Sequence, residues 1–243
     1  MTRSHPLITA HAGCMGTRPN GREHVVRALF SGADVVELDI RLSADGHVVL
    51  SHDEEAVGPD GLRRALGSLS WEEIRSLAGE GAEARILDLD EAFDLIGGTA
   101  VVNLDAKEPA AAVAAAAVAR RRGAAESIVF SGLEPEAAAE LRDELRGFAR
   151  LLNADPILPI AGYGPDSMRE ALRVARDCGC CGLNLDFRAA TEALVDYAHP
   201  RCLPVFLWTA DEPEEMERVL SLRPFSVTTN RPDLLARMIE GSV

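Results

Sequence analysis

Short apolar runs alternate with helix-patterned runs from Leu7 to Ile239, and this alternation constrains the fold more than any other feature of the chain. Strand-like runs are Leu7–Ala10, two within Val35–Asp53, Ala100–Leu104, Ser127–Phe130, Ala149–Leu152, Gly182–Leu185, Leu203–Trp208 and Phe225–Val227. Between them, Val25, Val26, Leu29 and Phe30 give Arg22–Ser31 helical spacing, which stops at Gly32. Ser70 and Glu73 form a capping-box pattern that starts a helix through Leu77. Further helices are predicted over Asp90–Ile96, from Pro109 through an alanine-rich run to Gly123, and over Glu134–Leu145, Pro165–Cys178, Thr191–Ala198, Pro213–Leu220 and Pro232–Ile239. Repeated strand–helix units mean a parallel sheet with helices outside it. At 243 residues the expected architecture is a closed α/β barrel, the (β/α)8 TIM barrel, with a doubly wound open sheet second. No linker or low-complexity stretch interrupts the pattern, so residues 1–243 are expected to form one domain. Nine candidate strands are one too many for the barrel, so one is expected to be irregular or to lie outside it. The connection from Asp39 to Val48 is also too short to hold a helix.

The stretch from Val35 to Asp53 carries the densest chemistry. Strand side chains alternate, so Glu37 and Asp39 share a face with Leu38 opposite. Two adjacent carboxylates repel unless a cation lies between them, and a divalent cation is the usual answer. The alternative is an edge strand with two solvated acids. In a parallel barrel, chemistry collects where strands end. The first strand ends lead into His11, Glu37, Asp39, His52, Asp53, Asn103, Asp105 and Lys107, and a later one ends at Trp208. His11 and His52 suit proton transfer near neutral pH. Asp53 is expected to orient a partner or cap a turn. Lys107 reads either as a cation set near the carboxylates or as a solvated lysine opening a helix, and Trp208 either as core or as pocket wall. His5, His24, His47 and His199 read as surface or loop residues. Cys178, Cys180 and Cys181 cluster without a second cluster at zinc spacing, so they read as buried small residues.

Composition narrows the partners. A net charge of −14 and a pI near 4.9 disfavour nucleic acid and anionic lipid, while a small anionic substrate held by local cations stays open. An odd count of five cysteines fits reduced thiols. The polar start from Met1 to Pro6, and the lack of any apolar run long enough for a signal peptide or a membrane span, lead to an expectation of a cytoplasmic protein without membrane insertion. No feature of the sequence specifies an oligomeric state.

Taken in order, these pieces resemble the glycerophosphodiester phosphodiesterase family, relatives of phosphatidylinositol phospholipase C. That family shows strand-His-Arg-Gly, Pro-Glu-Asn, a Glu-Leu-Asp strand, a Lys-Asp-Gly turn, a strand ending His-Asp, another ending Glu-Ile-Lys, a late Trp-Thr and a final Thr-Asp-x-Pro. The corresponding stretches are His11-Ala12-Gly13, Pro19-Asn20-Gly21, Glu37-Leu38-Asp39, Ala44-Asp45-Gly46, His52-Asp53, Asn103-Leu104-Asp105-Ala106-Lys107, Trp208-Thr209 and Thr229-Asn230-Arg231-Pro232. The resemblance implies a barrel with one divalent cation, Mg²⁺ or Ca²⁺, held by Glu37, Asp39 and Asp105. It implies His11 and His52 as general acid and base, and Lys107 as a phosphate contact, in a phosphodiesterase acting on a small-molecule phosphodiester.

Several positions depart from the pattern. Ala12 replaces the Arg after the first His, Asn20 and Gly21 replace Glu-Asn, and Asp105 is one methylene shorter than the family's Glu. Arg63 and Arg64 stand too far along to supply the Arg that follows His-Asp in the family. Replacing Arg by Ala removes a bidentate phosphate contact that Lys does not reproduce, so weak activity on glycerophosphocholine is expected. Two functions therefore follow from the sequence. One is a metal-dependent phosphodiesterase or cyclising lyase acting on a modified phosphodiester. The other is a binding or regulatory protein that keeps the barrel without turnover.

Overall fold

The computed structural model describes residues 5–77 and 85–241, so residues 1–4 of the polar start lie outside the described residues. Eight parallel strands close into a barrel. They are β1 (Leu7–Ala10), β2 (Val35–Leu42), β6 (Val101–Ala106), β7 (Ile128–Leu133), β8 (Ala149–Asn153), β9 (Gly182–Asp186), β10 (Val205–Trp208) and β11 (Ser226–Thr229). Closure comes from β1, which pairs in parallel with both β11 and β2. Helices α1 (Arg22–Phe30), α3 (Leu89–Ile96), α4 (Pro109–Arg122), α5 (Pro135–Glu140), α6 (Pro165–Asp177), α7 (Glu192–Ala198), α8 (Pro213–Ser221) and α9 (Pro232–Glu240) alternate with these strands. The expected (β/α)8 architecture is therefore present. No helix among the described residues is long and apolar enough to cross a membrane.

The surplus strand is β3 (Val48–Leu50). It pairs antiparallel with the far end of β2, Ile40 opposite Leu50 and Leu42 opposite Val48, and lies outside the barrel. The link from Asp39 to Val48 is thus a hairpin, and His52 reaches the site from a loop beyond it rather than from the end of a barrel strand. A short antiparallel pair, β4 (Glu55–Val57) and β5 (Arg63–Ala65), and the helix α2 (Trp71–Ser76) follow. The capping box expected at Ser70 and Glu73 starts α2, and a second one, Asp88 with Glu91, starts α3. The helix expected over Glu134–Leu145 is shorter; α5 ends at Glu140.

Side-chain alternation sorts the strands' two faces. On β2 and β6, Leu38, Ile40, Leu104 and Ala106 are buried towards the helices, where α4 packs close because Ala111, Ala112, Ala115, Ala116 and Ala119 line its inner face. Five of the eight crossover helices begin with proline, whose fixed φ suits a first turn and whose missing N–H costs nothing there. At Gly132 (φ +75°), β7 passes β6 so closely that a Cβ would lie 2.5 Å from the Ala106 carbonyl oxygen; only glycine fits. The pairing of β7 with β8 shifts register between Phe130 and Leu133, around Ser131.

Candidate active site

At the carboxyl ends of the strands a cavity of about 300 Å³ is lined by His11, Glu37, His52, Asn103, Asp105, Lys107, Ser131, Asn153, Asn184, Trp208, Thr209 and Thr228. Six of the seven residues singled out from the sequence line it. The seventh, Asp39, stands beside them: one oxygen from each of Glu37, Asp39 and Asp105 lies within 4.8 Å of the others. Register explains this, because Glu37 is opposite Asn103 and Asp39 opposite Asp105 on adjacent parallel strands. The two carboxylates of β2 and that of β6 therefore point into the barrel at neighbouring levels.

Each carboxylate has a different environment. Asp39 accepts from Asn20 Nδ2 (2.8 Å) and from Lys107 Nζ (2.8 Å), while its own N–H donates to Asn20 Oδ1 (2.9 Å). Asn20 thereby fixes both the backbone and the carboxylate of Asp39. It does so with φ near +60°, a region asparagine tolerates better than most residues. Asp105 accepts from Lys107 Nζ (2.5 Å) and Ser131 Oγ (2.7 Å). Glu37 is buried, and burial, then the charges of Asp105 and Asp39, push its pKa well above the ordinary glutamate value. Burial acts against the Lys107 ammonium, but Asp105 and Asp39 outweigh it and hold its pKa above the usual lysine value. Three converging carboxylate oxygens, one of them buried at an electrostatic cost, are the hard-donor set that suits a divalent cation such as Mg²⁺ or Ca²⁺. The residues present fit such an ion.

The histidines flank this group. His11 follows β1; its N–H donates to the Thr229 carbonyl (3.0 Å) and its Nδ1 lies 3.0 Å from Asn230 Oδ1. His52 is exposed, with its Nδ1 3.0 Å from Asp53 Oδ1 and its carbonyl accepting from Arg41 Nε (3.0 Å). That hydrogen bond from His52 is the main reason the Asp53 carboxyl sits below its usual pKa. Within the cavity wall, Asn103 Oδ1 and Trp208 Nε1 are buried side-chain atoms without a hydrogen-bond partner among the described residues. A buried polar atom left unpaired costs about 1–3 kcal/mol.

Two residues that support the site's geometry escape the sequence reading. Asn20 reads there as a lost family position, yet it holds Asp39. His24 reads as a surface residue, whereas it is fully buried on α1. Gly13 N–H donates to His24 Nδ1 (3.2 Å), so the proton sits on Nε2 and is donated to the Glu37 carbonyl (3.0 Å). One neutral imidazole thus ties the loop after His11 to the strand bearing Glu37, and burial lowers its pKa. The only cue in the sequence is its place beside Val25 on the inner face of α1. The cysteine cluster is as expected at Cys178 and Cys180, which are buried, but Cys181 is exposed.

Comparison with known proteins agrees with this geometry. The glycerophosphodiester phosphodiesterase of Caldanaerobacter subterraneus is 25% identical over 261 aligned residues, covering 96% of this chain and 97% of the relative. Among solved structures, the glycerophosphodiester phosphodiesterase of Thermotoga maritima superposes with a TM-score of 0.77 at 21% identity, covering 97% of this chain and 99% of that one. An Oleispira antarctica phosphodiesterase, solved with the product sn-glycerol-3-phosphate, superposes with a TM-score of 0.77 at 19% identity, covering 97% of both chains. The family description "Glycerophosphoryl diester phosphodiesterase family" matches residues 11–234, and the chain belongs to that family.

Proposed function

We propose that this chain is a phosphoric diester hydrolase that cleaves a small phosphodiester, with His11 and His52 as the general acid–base pair. The observation that carries this reading is the convergence of two imidazoles, three carboxylates and one amine on a single cavity of about 300 Å³. One imidazole accepts the proton of the attacking hydroxyl and the other protonates the departing oxygen. Glu37, Asp39 and Asp105 would hold one Mg²⁺ or Ca²⁺, with Asn20 and Ser131 fixing two of the three carboxylates. Such a cation supplies positive charge against the anionic phosphate. Lys107 adds a second positive charge at the same place, and Trp208 forms part of the wall of the cavity that would hold the substrate.

The phosphate in the Oleispira structure supports a phosphodiester carrying a glycerol or similar hydroxyl-bearing group. Ala12, where the family carries Arg, offers the phosphate no guanidinium. A charge-assisted contact contributes about 1.5–3 kcal/mol, so turnover of glycerophosphocholine is expected to be weak, roughly ten- to a hundred-fold below that of a site with Arg at this position. The test is a panel of phosphodiesters assayed with EDTA, Mg²⁺ or Ca²⁺. Metal-dependent cleavage of at least one, abolished in Asp39→Asn, is expected. Turnover that survives EDTA and Asp39→Asn alike would remove the carboxylates from the reaction.

A further inference from the structure

A histidine works as a base through one ring nitrogen only when its proton sits on the other. For His11 that choice is made by groups two strands' ends away. Asp211, beyond β10, accepts the backbone N–H of Asn230 (2.7 Å) and the Thr229 hydroxyl (3.2 Å) on Oδ1, and the Asn230 amide Nδ2 (2.8 Å) on Oδ2. A carboxylate only accepts, so the Asn230 amide cannot turn round without placing its oxygen against Asp211. Its Oδ1 is then left facing His11 Nδ1 at 3.0 Å. An amide oxygen also only accepts, so the imidazole must donate from Nδ1.

We infer that Asp211, acting through Asn230, holds His11 in the tautomer protonated on Nδ1 and leaves Nε2 as the atom that exchanges protons with the substrate. Asp211 and Asn230 are positioning residues, and the inference rests on the reading of His11 as one of the acid–base pair. The same backbone turn also clamps the loop, since the Asn230 carbonyl accepts from Met15 N–H (2.8 Å). Ring tautomer and ring position are thus set by one segment.

The bonding pattern makes a specific demand on substitutions. In D211N the new amide keeps its oxygen on the 230 N–H and the Thr229 hydroxyl, so its NH₂ meets the Asn230 NH₂. Asn230 escapes by flipping, presents NH₂ to His11 Nδ1 and drives the ring proton to Nε2. In N230D two carboxylates face each other at the former 2.8 Å contact. In D211N/N230D each donor again meets an acceptor: the amide at 211 donates to the carboxylate at 230, whose other oxygen accepts from His11 Nδ1.

The test combines ring spectra with kinetics. In ¹⁵N-labelled wild type, with His11 assigned by comparison with His11→Gln, the neutral ring should carry its proton on Nδ1. D211N should shift it to Nε2 and lower kcat by about 10²-fold or more, since a wrong tautomer in a comparable site costs up to ~10⁴-fold. KM should move by less than about threefold, as expected when the loss is felt in the transition state. D211N/N230D should recover the Nδ1–H ring and come within about tenfold of wild-type kcat, the two sites being strongly coupled. An Nε2–H ring in the wild type, or a double variant no better than its worse single, overturns the inference. Should the wild type cleave no phosphodiester, the proposed function fails, while the wild-type and D211N spectra still decide the positioning.

Discussion

His11 and His52 line the same cavity, yet the chain around them is built differently. His11 sits directly behind a barrel strand, with its N–H on Thr229, its ring on Asn230 and the following loop fastened through Gly13 to the buried His24. His52 lies beyond an antiparallel strand outside the barrel, with a side chain 67% exposed. Its ring meets its neighbour Asp53, and its backbone carbonyl accepts from Arg41. The same kind of group is thus firmly held at one place in the cavity wall and lightly held at another. The firmly held ring depends on distant supports, whereas the exposed one depends on its immediate neighbours.

The largest effects should come from removing either ring. His11→Ala and His52→Ala are each expected to lower kcat by about 10²–10⁴-fold, the usual worth of a general acid or base, and the double variant by little more. If His52→Ala retains more than about a tenth of wild-type turnover, a figure far above that range, the two sides are not partners and the comparison breaks.

A smaller effect tests the charged wall between them. Glu37 has a pKa raised by burial, Asp105 and Asp39, so its folded value lies above its unfolded one. Its ionisation therefore costs no stability below the ordinary glutamate value near 4.5, and the cost grows as pH rises above it. Glu37→Gln should consequently raise the Tm of the EDTA-treated protein at pH 7–8 by at least about 2–4 °C, the shift that ~1 kcal/mol gives a chain of this size. It should also abolish the Tm increase produced by Mg²⁺ or Ca²⁺ in the wild type. Unchanged metal stabilisation in Glu37→Gln would take this residue out of the cation site.

The smallest effect sharpens the contrast most. Arg41→Ala removes the guanidinium from the His52 carbonyl, one hydrogen bond worth about 0.5–1.5 kcal/mol. A several-fold loss of kcat is expected, with Tm within about 1–3 °C of wild type, because the bond sits outside the barrel core. The equivalent cut on the other side, His24→Ala, empties a buried site and strands the Gly13 N–H and Glu37 carbonyl, so it should cost stability by roughly 2–4 kcal/mol. Calorimetry of the pair distinguishes the two designs; equal losses of Tm would erase the contrast.

The barrel was legible because strand and helix periodicities alternate so regularly. The strand that does not belong was not, and the reason is physical. Val48 and Leu50 join the main core, while Val49 packs into a separate small cluster with Leu66, Trp71 and Ile74. Buried on both faces, β3 has the same unbroken apolar run as a parallel barrel strand. The convergence of the three carboxylates and His11 near one cavity was legible because alternation on β2 and β6 and the strand-end positions put them at the same end of the barrel. Asn20 and His24 were not, since each acts on backbone groups brought near by the fold: Asn20 on Asp39, His24 on Gly13 and Glu37. Nor does any local pattern tie Asp211 to Asn230, nineteen positions on, before β10 and β11 lie side by side.

β2 carries Glu37, Asp39 and Arg41 at alternate positions on one face, so a single rigid strand spaces two of the three clustered carboxylates and the support of the His52 loop. Its rise of about 3.3 Å per residue works as a ruler along the cavity rim. Adding or deleting one residue between Glu37 and Arg41 would turn everything beyond it to the opposite face. Length variation within this strand is therefore closed to evolution and to engineering alike. The exposed turn at Ala44–Gly46 is fixed in another way, since the Ala44 N–H donates to the Leu69 carbonyl and Asp45 accepts from the Trp71 N–H before the chain returns as β3.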